Sequence, residues 1–186
     1  PIVRINSQSG KGGVAFIMDQ YFGYKLPKEM HKDFADAIQK ISEKQGEVTP
    51  EQIMHAFTDM YIEAKEPLHF MRIKIEDISE QHDVYDTKVL LTFTDHGDQK
   101  TIEGFGNGPI DAVKHSLCEQ CGYNIRLTLY SEHALTKGSD SKAASYIELM
   151  DENTGHTAFG VGVSSNITRS SIRAIFSAMN RLFFNA

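Results

Sequence analysis

The feature that most constrains the fold is an internal repeat. "GFGNGPIDAV" (Gly104 to Val113) and "GVGVSSNITRSS" (Gly160 to Ser171) each place a Gly-x-Gly pair after a strand-like run and before a helix-like run. Gly104 and Gly160 lie 56 residues apart, and the turn glycines Gly97 and Gly155 lie 58 apart. Ahead of the first pair, Met71, Ile73 and Ile75 alternate with Arg72, Lys74 and Glu76, and Val89, Leu91 and Phe93 repeat the period of two. That alternation marks strands with one wet face. Ahead of the second pair, Ile125, Leu127 and Leu129 are expected on one face of a strand, with Ile147 and Leu149 on the next. Each copy closes on a helical stripe: Ile110, Val113, Leu117 and Cys121 in the first, Ile172, Ile175, Phe176, Met179, Leu182 and Phe183 in the second. The predicted class is α+β, a strand–strand–strand–helix unit duplicated with pseudo-twofold symmetry, residues 66–122 and 123–186. One three-stranded sheet with one helix buries too little to stand alone, so the copies should pack on each other and on a second chain.

Residues 1–65 read as a separate helical subdomain. Gly12 to Pro27 has two glycines, a short apolar run and a proline stop, and is expected to be a connector. Met30, Phe34, Ile38 and Ile41 then form the stripe of an amphipathic helix ending at Gly46. Thr49, Pro50 and Gln52 supply a capping box with proline in the first turn, which starts a second helix with Ile53, Phe57, Met60 and Tyr61 on its apolar face. "EAKEPL" (Glu63 to Leu68) is charged, contains Pro67 and reads as a linker.

Composition narrows the function. The 186 residues carry a formal net charge of −6, which argues against sequence-independent nucleic-acid binding. Neither a signal peptide nor an apolar run able to span a bilayer is expected, so the predicted location is the cytoplasm. The chain opens on Pro1 rather than Met, which points to a piece of something longer. "NSQSGKGG" (Asn6 to Gly13) resembles a phosphate loop but fails it: Ile5 stands where the first glycine belongs, and Gly12 where a hydroxyl residue must reach Mg²⁺. Cys118 and Cys121 form a Cys-x-x-Cys without a second pair, in a helical stretch where cysteine serves as a small apolar residue; a redox or zinc module is the alternative. The eight histidines show no metal-ligand spacing, so no metal is expected in this chain. "NIT" (Asn166 to Thr168) matches a glycosylation acceptor but lacks the secretory context. Glu132 and His133 could form an acid/base pair, or be no more than surface neighbours.

The Gly-rich turns carry the binding signal. Glycines let backbone approach a ligand, and Pro109 starts a helix whose free N–H groups suit a carboxylate. The tight turn itself would also explain those glycines. Tyr130 to Ser145 reads as a longer connection than its counterpart near "EDISEQHDVYD", and so as a lid or interface loop. No nucleophile elbow or paired-carboxylate signature occurs. The residues describe a ligand-binding module rather than a complete enzyme.

"RINSQSGKGGVAF", "GNGPIDAV", "YSEHAL" and "GVGVSSNITRSSIRAIFSAMNR" together resemble the C-terminal part of the 2-isopropylmalate synthase family. The resemblance covers essentially the whole chain. It implies a duplicated βββα regulatory domain that binds leucine, a homodimer, and a TIM barrel elsewhere in the protein. That barrel would hold a divalent metal and condense acetyl-CoA with 2-oxoisovalerate; this part would need no cofactor and perform no chemistry. It also implies that Gly106, Asn107 and Gly108 lie near the leucine backbone. Ile110, Leu127, Tyr130 and Ala134 would line its isobutyl group, with Ser141 on the covering loop. Asp111 stands where relatives commonly have a small apolar residue, and its charge is an alternative partner for the ligand ammonium. A citramalate synthase domain binding isoleucine and a free-standing amino-acid sensor are the other readings.

Overall fold

The computed structural model describes residues 11–138 and 140–185. Helix α1 spans Lys11–Phe22, α2 His31–Gln45 and α3 Pro50–Phe57, the last continuing through a wider turn, Thr58–Ile62. Strands β1 Leu68–Asp77, β2 Thr87–Asp95 and β3 Asp98–Gly106 precede α4 Pro109–Cys121; β4 Ile125–Ala134, β5 Ala143–Asp151 and β6 Thr157–Ser164 precede α5 Ile167–Phe184. Each set of strands is an antiparallel meander, ordered β1-β2-β3 and β4-β5-β6. The α+β class and the duplication are therefore present as anticipated.

The duplication extends to irregularities. β1 slips register against β2 between Phe70 and Arg72, and β4 slips against β5 between Leu127 and Leu129. These bulges, at Met71 and Thr128, are 57 residues apart, in line with the glycine spacing. A bulge inserts one residue and turns the following side chains over. Leu129 consequently joins the opposite face from Ile125 and Leu127, correcting the expected uniform alternation.

Glycine explains how each helix approaches its sheet. A Cβ on Gly106 would stand 2.5 Å from the Ala112 amide nitrogen, and one on Gly162 would stand 2.6 Å from that of Ala174. The repeated Gly-x-Gly thus admits helix backbone against strand backbone. That packing accounts for Gly106, which is buried beneath α4, without a ligand.

Two apolar clusters result. One joins β1–β3, α4 and α5 with Ile125, Ile147 and Leu149 of the second sheet. The other joins α1–α3 with Ala144, Tyr146, Phe159 and Val161 on that sheet's opposite face. The second sheet is covered on both sides, while the first presents a wet face. Thr49 forms the expected capping box with Gln52. The connector expected over 12–27 is instead largely α1: Val14, Ile17 and Met18 have helical spacing and are buried. Gly12 and Gly13 obscured that short stripe. Of the phosphate-like stretch, residues 6–10 lie outside the described residues.

The linker is gripped rather than free. The fully buried Asn180 amide of α5 donates to the carbonyls of Ala64 (2.7 Å) and Leu68 (2.8 Å), and its oxygen accepts from Leu68 N–H at 2.9 Å. Ser177 Oγ donates to the Tyr61 carbonyl. Arg181 lies 4.5 Å over the Tyr61 ring and donates to the Phe159 carbonyl. One helix thereby ties the N-terminal unit to both sheets.

Candidate functional site

The β3–α4 turn holds its own amides. Gly108 adopts φ +91°, a conformation that favours glycine, and hands the chain to Pro109. Asn107 N–H donates to the Asp111 carboxylate at 2.9 Å, and Gly108 N–H to that of Asp86 at 3.0 Å. The two amides expected to receive a ligand carboxylate already meet carboxylates of the chain. Pro109 has no N–H, and the amides of Ile110 and Asp111 meet no protein acceptor among the described residues. These are the open donors at the start of α4. Asp86 also accepts from Thr87 Oγ1 at 2.8 Å, and Asp111 lies 3.5 Å from His115 Nε2. A cavity of about 300 Å³ over the turn is lined by Ile75, Asp77, Ser79, Asp86, Thr87 and Gly108, among others.

The other half of the predicted site lies on β4. Leu127 and Tyr130 share the face directed at α5, because the bulge at Thr128 separates them, and Ala134 follows on the same face. Tyr130 Oη bonds to Ser171 Oγ of α5 and to Glu132 at 2.7 Å. Ser145 Oγ is 2.7 Å from Ser170 Oγ and 3.1 Å from Ser171 Oγ, which makes a hydroxyl cluster behind the tyrosine. Partial burial raises the Tyr130 pKa above its ordinary value, so its hydroxyl is protonated and available to donate near neutrality. Ser141 is exposed on the connection 135–142. That connection is no longer than 78–86 in the first copy, because β4 runs on to Ala134; the expected long insertion is absent.

The structure thus gathers Gly106, Asn107, Gly108 and Ile110 in one turn, and Leu127, Tyr130 and Ala134 on one strand face. The cavity over the turn includes none of the β4 residues or Ser141. Asp86 and the serines behind Tyr130 went unrecognised in the sequence. Serine pairing with a neighbouring strand leaves no periodic trace, although Ser170-Ser171 at a helix start offered a faint signal.

The remaining candidates are resolved by orientation. Glu132 turns to Tyr130, whereas His133 stacks on Tyr146 and its Nε2 accepts from Lys25 N–H at 3.1 Å, so the two are not an acid/base pair. Cys118 and Cys121 are free thiols on α4 packed against the core, and burial raises the Cys121 pKa, away from a reactive thiolate. Among the described residues no three His, Cys, Asp or Glu side chains group to hold a metal, and no helix is long and apolar enough to cross a membrane.

Comparison with known proteins gives a consistent result. The family model for the "LeuA allosteric (dimerisation) domain" matches residues 47–183. The chain is similar to a 2-isopropylmalate synthase of Clostridium acetobutylicum, 41% identical over 184 residues, covering 97% of this chain and 32% of the relative. It is 42% identical over 185 residues to that of Mycobacterium leprae, covering 97% and 29%, and 35% identical over 183 residues to that of Paraburkholderia phytofirmans, covering 98% and 30%. The chain therefore spans less than a third of the length of these curated relatives.

Proposed function

The chain belongs to the LeuA allosteric (dimerisation) domain family, and from that premise we propose that it is the leucine-sensing regulatory part of a cytoplasmic 2-isopropylmalate synthase. The whole enzyme would condense acetyl-CoA with 2-oxoisovalerate in a metal-dependent barrel outside this chain. What supports the reading is the presence of two surfaces of complementary chemistry. The α4 start offers open Ile110 and Asp111 amides beside the Asp86 and Asp111 carboxylates, suited to an amino acid's two charges. The β4 face offers Leu127, Ala134 and the Tyr130 ring to an aliphatic side chain. Since the turn cavity lacks the β4 residues, a second copy of the chain is the natural source of the missing half, consistent with a homodimer.

A route from sensor to barrel follows from α5. Ser171 touches Tyr130 at one end; Asn180, nine residues on and roughly 13 Å along the axis, grips the linker. Ligand-dependent movement of Tyr130 would then reach the N-terminal helices through one rigid element, and inhibition requires leucine to favour one of two global states.

Calorimetric titration with leucine tests the proposal, comparing wild type with Gly108→Asp. Binding by wild type and loss in the variant are expected; equal binding by both removes the turn from the site. One buried methylene is worth about 0.8 kcal/mol, so leucine should exceed valine by about fourfold. Stronger binding of isoleucine would point instead to a citramalate synthase domain.

A further inference from the structure

A second cavity, lined by none of the residues proposed to bind leucine, lies where three parts of the molecule meet. Its volume is about 510 Å³, within the range of small-ligand sites. Leu68, Phe70 and Phe176 supply apolar wall, and Lys65, His69 and Arg173 supply the polar rim. Among the described residues no acidic side chain lines it, although acidic residues outnumber basic ones 25 to 19 in the chain.

The charges around this cleft are arranged at a cost. Arg169 and Arg173 are one turn apart on α5, a like-charged spacing that destabilises a helix. Arg169 does not itself line the cavity but lies 5.5 Å over the ring of Phe70, which does. Arg173 donates one N–H to the Val163 carbonyl at 2.7 Å, which caps the open edge of β6; its other donors meet no acceptor among the described residues. Arg173 is an exposed residue whose partial burial, together with the nearby Arg169, lowers its pKa. Among the described residues neither arginine nor Lys65 forms an ion pair with a carboxylate. An anion entering the cleft would relieve this repulsion while apolar atoms cover Leu68, Phe70 and Phe176.

We infer that the cleft between β1, β6 and α5 binds a small aliphatic dicarboxylate, with one carboxylate at Arg173 and Arg169 and the other toward Lys65 and His69. Cationic side chains from two elements, Lys65 before β1 and Arg173 on α5, beside an apolar wall favour two carboxylates joined by a short hydrocarbon over inorganic phosphate, which has no apolar surface to bury. The monocarboxylate isovalerate would satisfy only one end. The site is independent of the leucine reading, because none of its lining residues belongs to the β3–α4 turn or β4.

The test is an amide and methyl NMR titration of the chain with succinate at constant ionic strength, with isovalerate and inorganic phosphate as parallel probes. Succinate should shift Leu68, Val161 and Val163 in a saturable way, at least tenfold tighter than either parallel probe. Arg173→Gln keeps a donor for the Val163 carbonyl while removing the charge; it should weaken succinate at least tenfold with little change in melting temperature. Arg169→Gln, which leaves the β6 edge untouched, should weaken it severalfold. Equal shifts with phosphate would reduce the cleft to a general anion screen and overturn the proposal. Undiminished succinate binding in both variants, or no saturable binding by wild type, would overturn it as well.

Discussion

The two βββα copies share strand order, bulges, hairpin glycines and the Gly-x-Gly approach of helix to sheet, yet they do different work. At the 58-residue offset between helix starts, Asn180 corresponds to Gly122. Gly122 has φ +78° and ends α4, whereas the second copy continues and buries Asn180 against the linker. The first copy consequently stops at its own sheet, and the second becomes the element that holds the N-terminal helices. Duplication supplied two equal frames; the extra length of one helix separated their roles.

The sharpest challenge to that contrast is Asn180→Ala. It strands the Leu68 N–H and two carbonyls in a buried setting, where each unsatisfied group costs about 1–3 kcal/mol. Urea unfolding should show a loss of about 3 kcal/mol or more, and amide exchange should rise in the N-terminal helices. A loss under 1 kcal/mol would mean that α5 does not secure the linker.

Next in size is the alkaline response. Burial, chiefly, raises the Tyr61 pKa, with the Asp33 carboxylate adding to it, and burial likewise raises that of Tyr146; both belong to the cluster that joins the helices to the second sheet. A raised folded-state pKa means that unfolded tyrosine ionises first. Its contribution is complete below about pH 10, the unfolded value, and declines as pH rises through and above it. Denaturation followed against pH should therefore lose midpoint above about pH 10, and Tyr146→Phe should reduce the loss. A pH-independent midpoint up to pH 11 would contradict the burial of these hydroxyls.

Thr49→Ala removes the acceptor for Gln52 N–H and should cost about 1 kcal/mol, measured by thermal melting. The smallest effect is a matched pair. Gly97 and Gly155 have φ +86° and +78°, and an added Cβ on either meets nothing. Gly97→Ala and Gly155→Ala should each cost about 1 kcal/mol through backbone strain alone, and by similar amounts. Unequal losses would show that the two-residue turn 96–97 and the longer connection 152–156 constrain their glycines differently.

Much of this architecture was legible because it is periodic. Repeated glycines, a period-two run and a 3.6-residue stripe each leave a local trace, and Thr49 with Gln52 announced a helix start. α1 was harder: its buried stripe is short, and Gly12, Gly13 and Gly23 resemble a connector. The bulge at Thr128 was invisible, since one inserted residue looks like ordinary alternation until the partner strand sets the register. At the candidate site, the turn and the β4 residues could be named, but the capture of two turn amides by Asp86 and Asp111 could not.

What the amino-acid order determined alone was the local conformational preference of each segment and the fact of duplication, because both depend on residues close in sequence or identical in spacing. Only the tertiary structure decided which faces are covered, that Asn180 supplies partners to backbone groups 112 and 116 residues away, and that Lys65, His69 and Arg173 line one cleft. Those outcomes depend on which surfaces meet after collapse, where burial makes an unpaired polar group costly enough to select its partner.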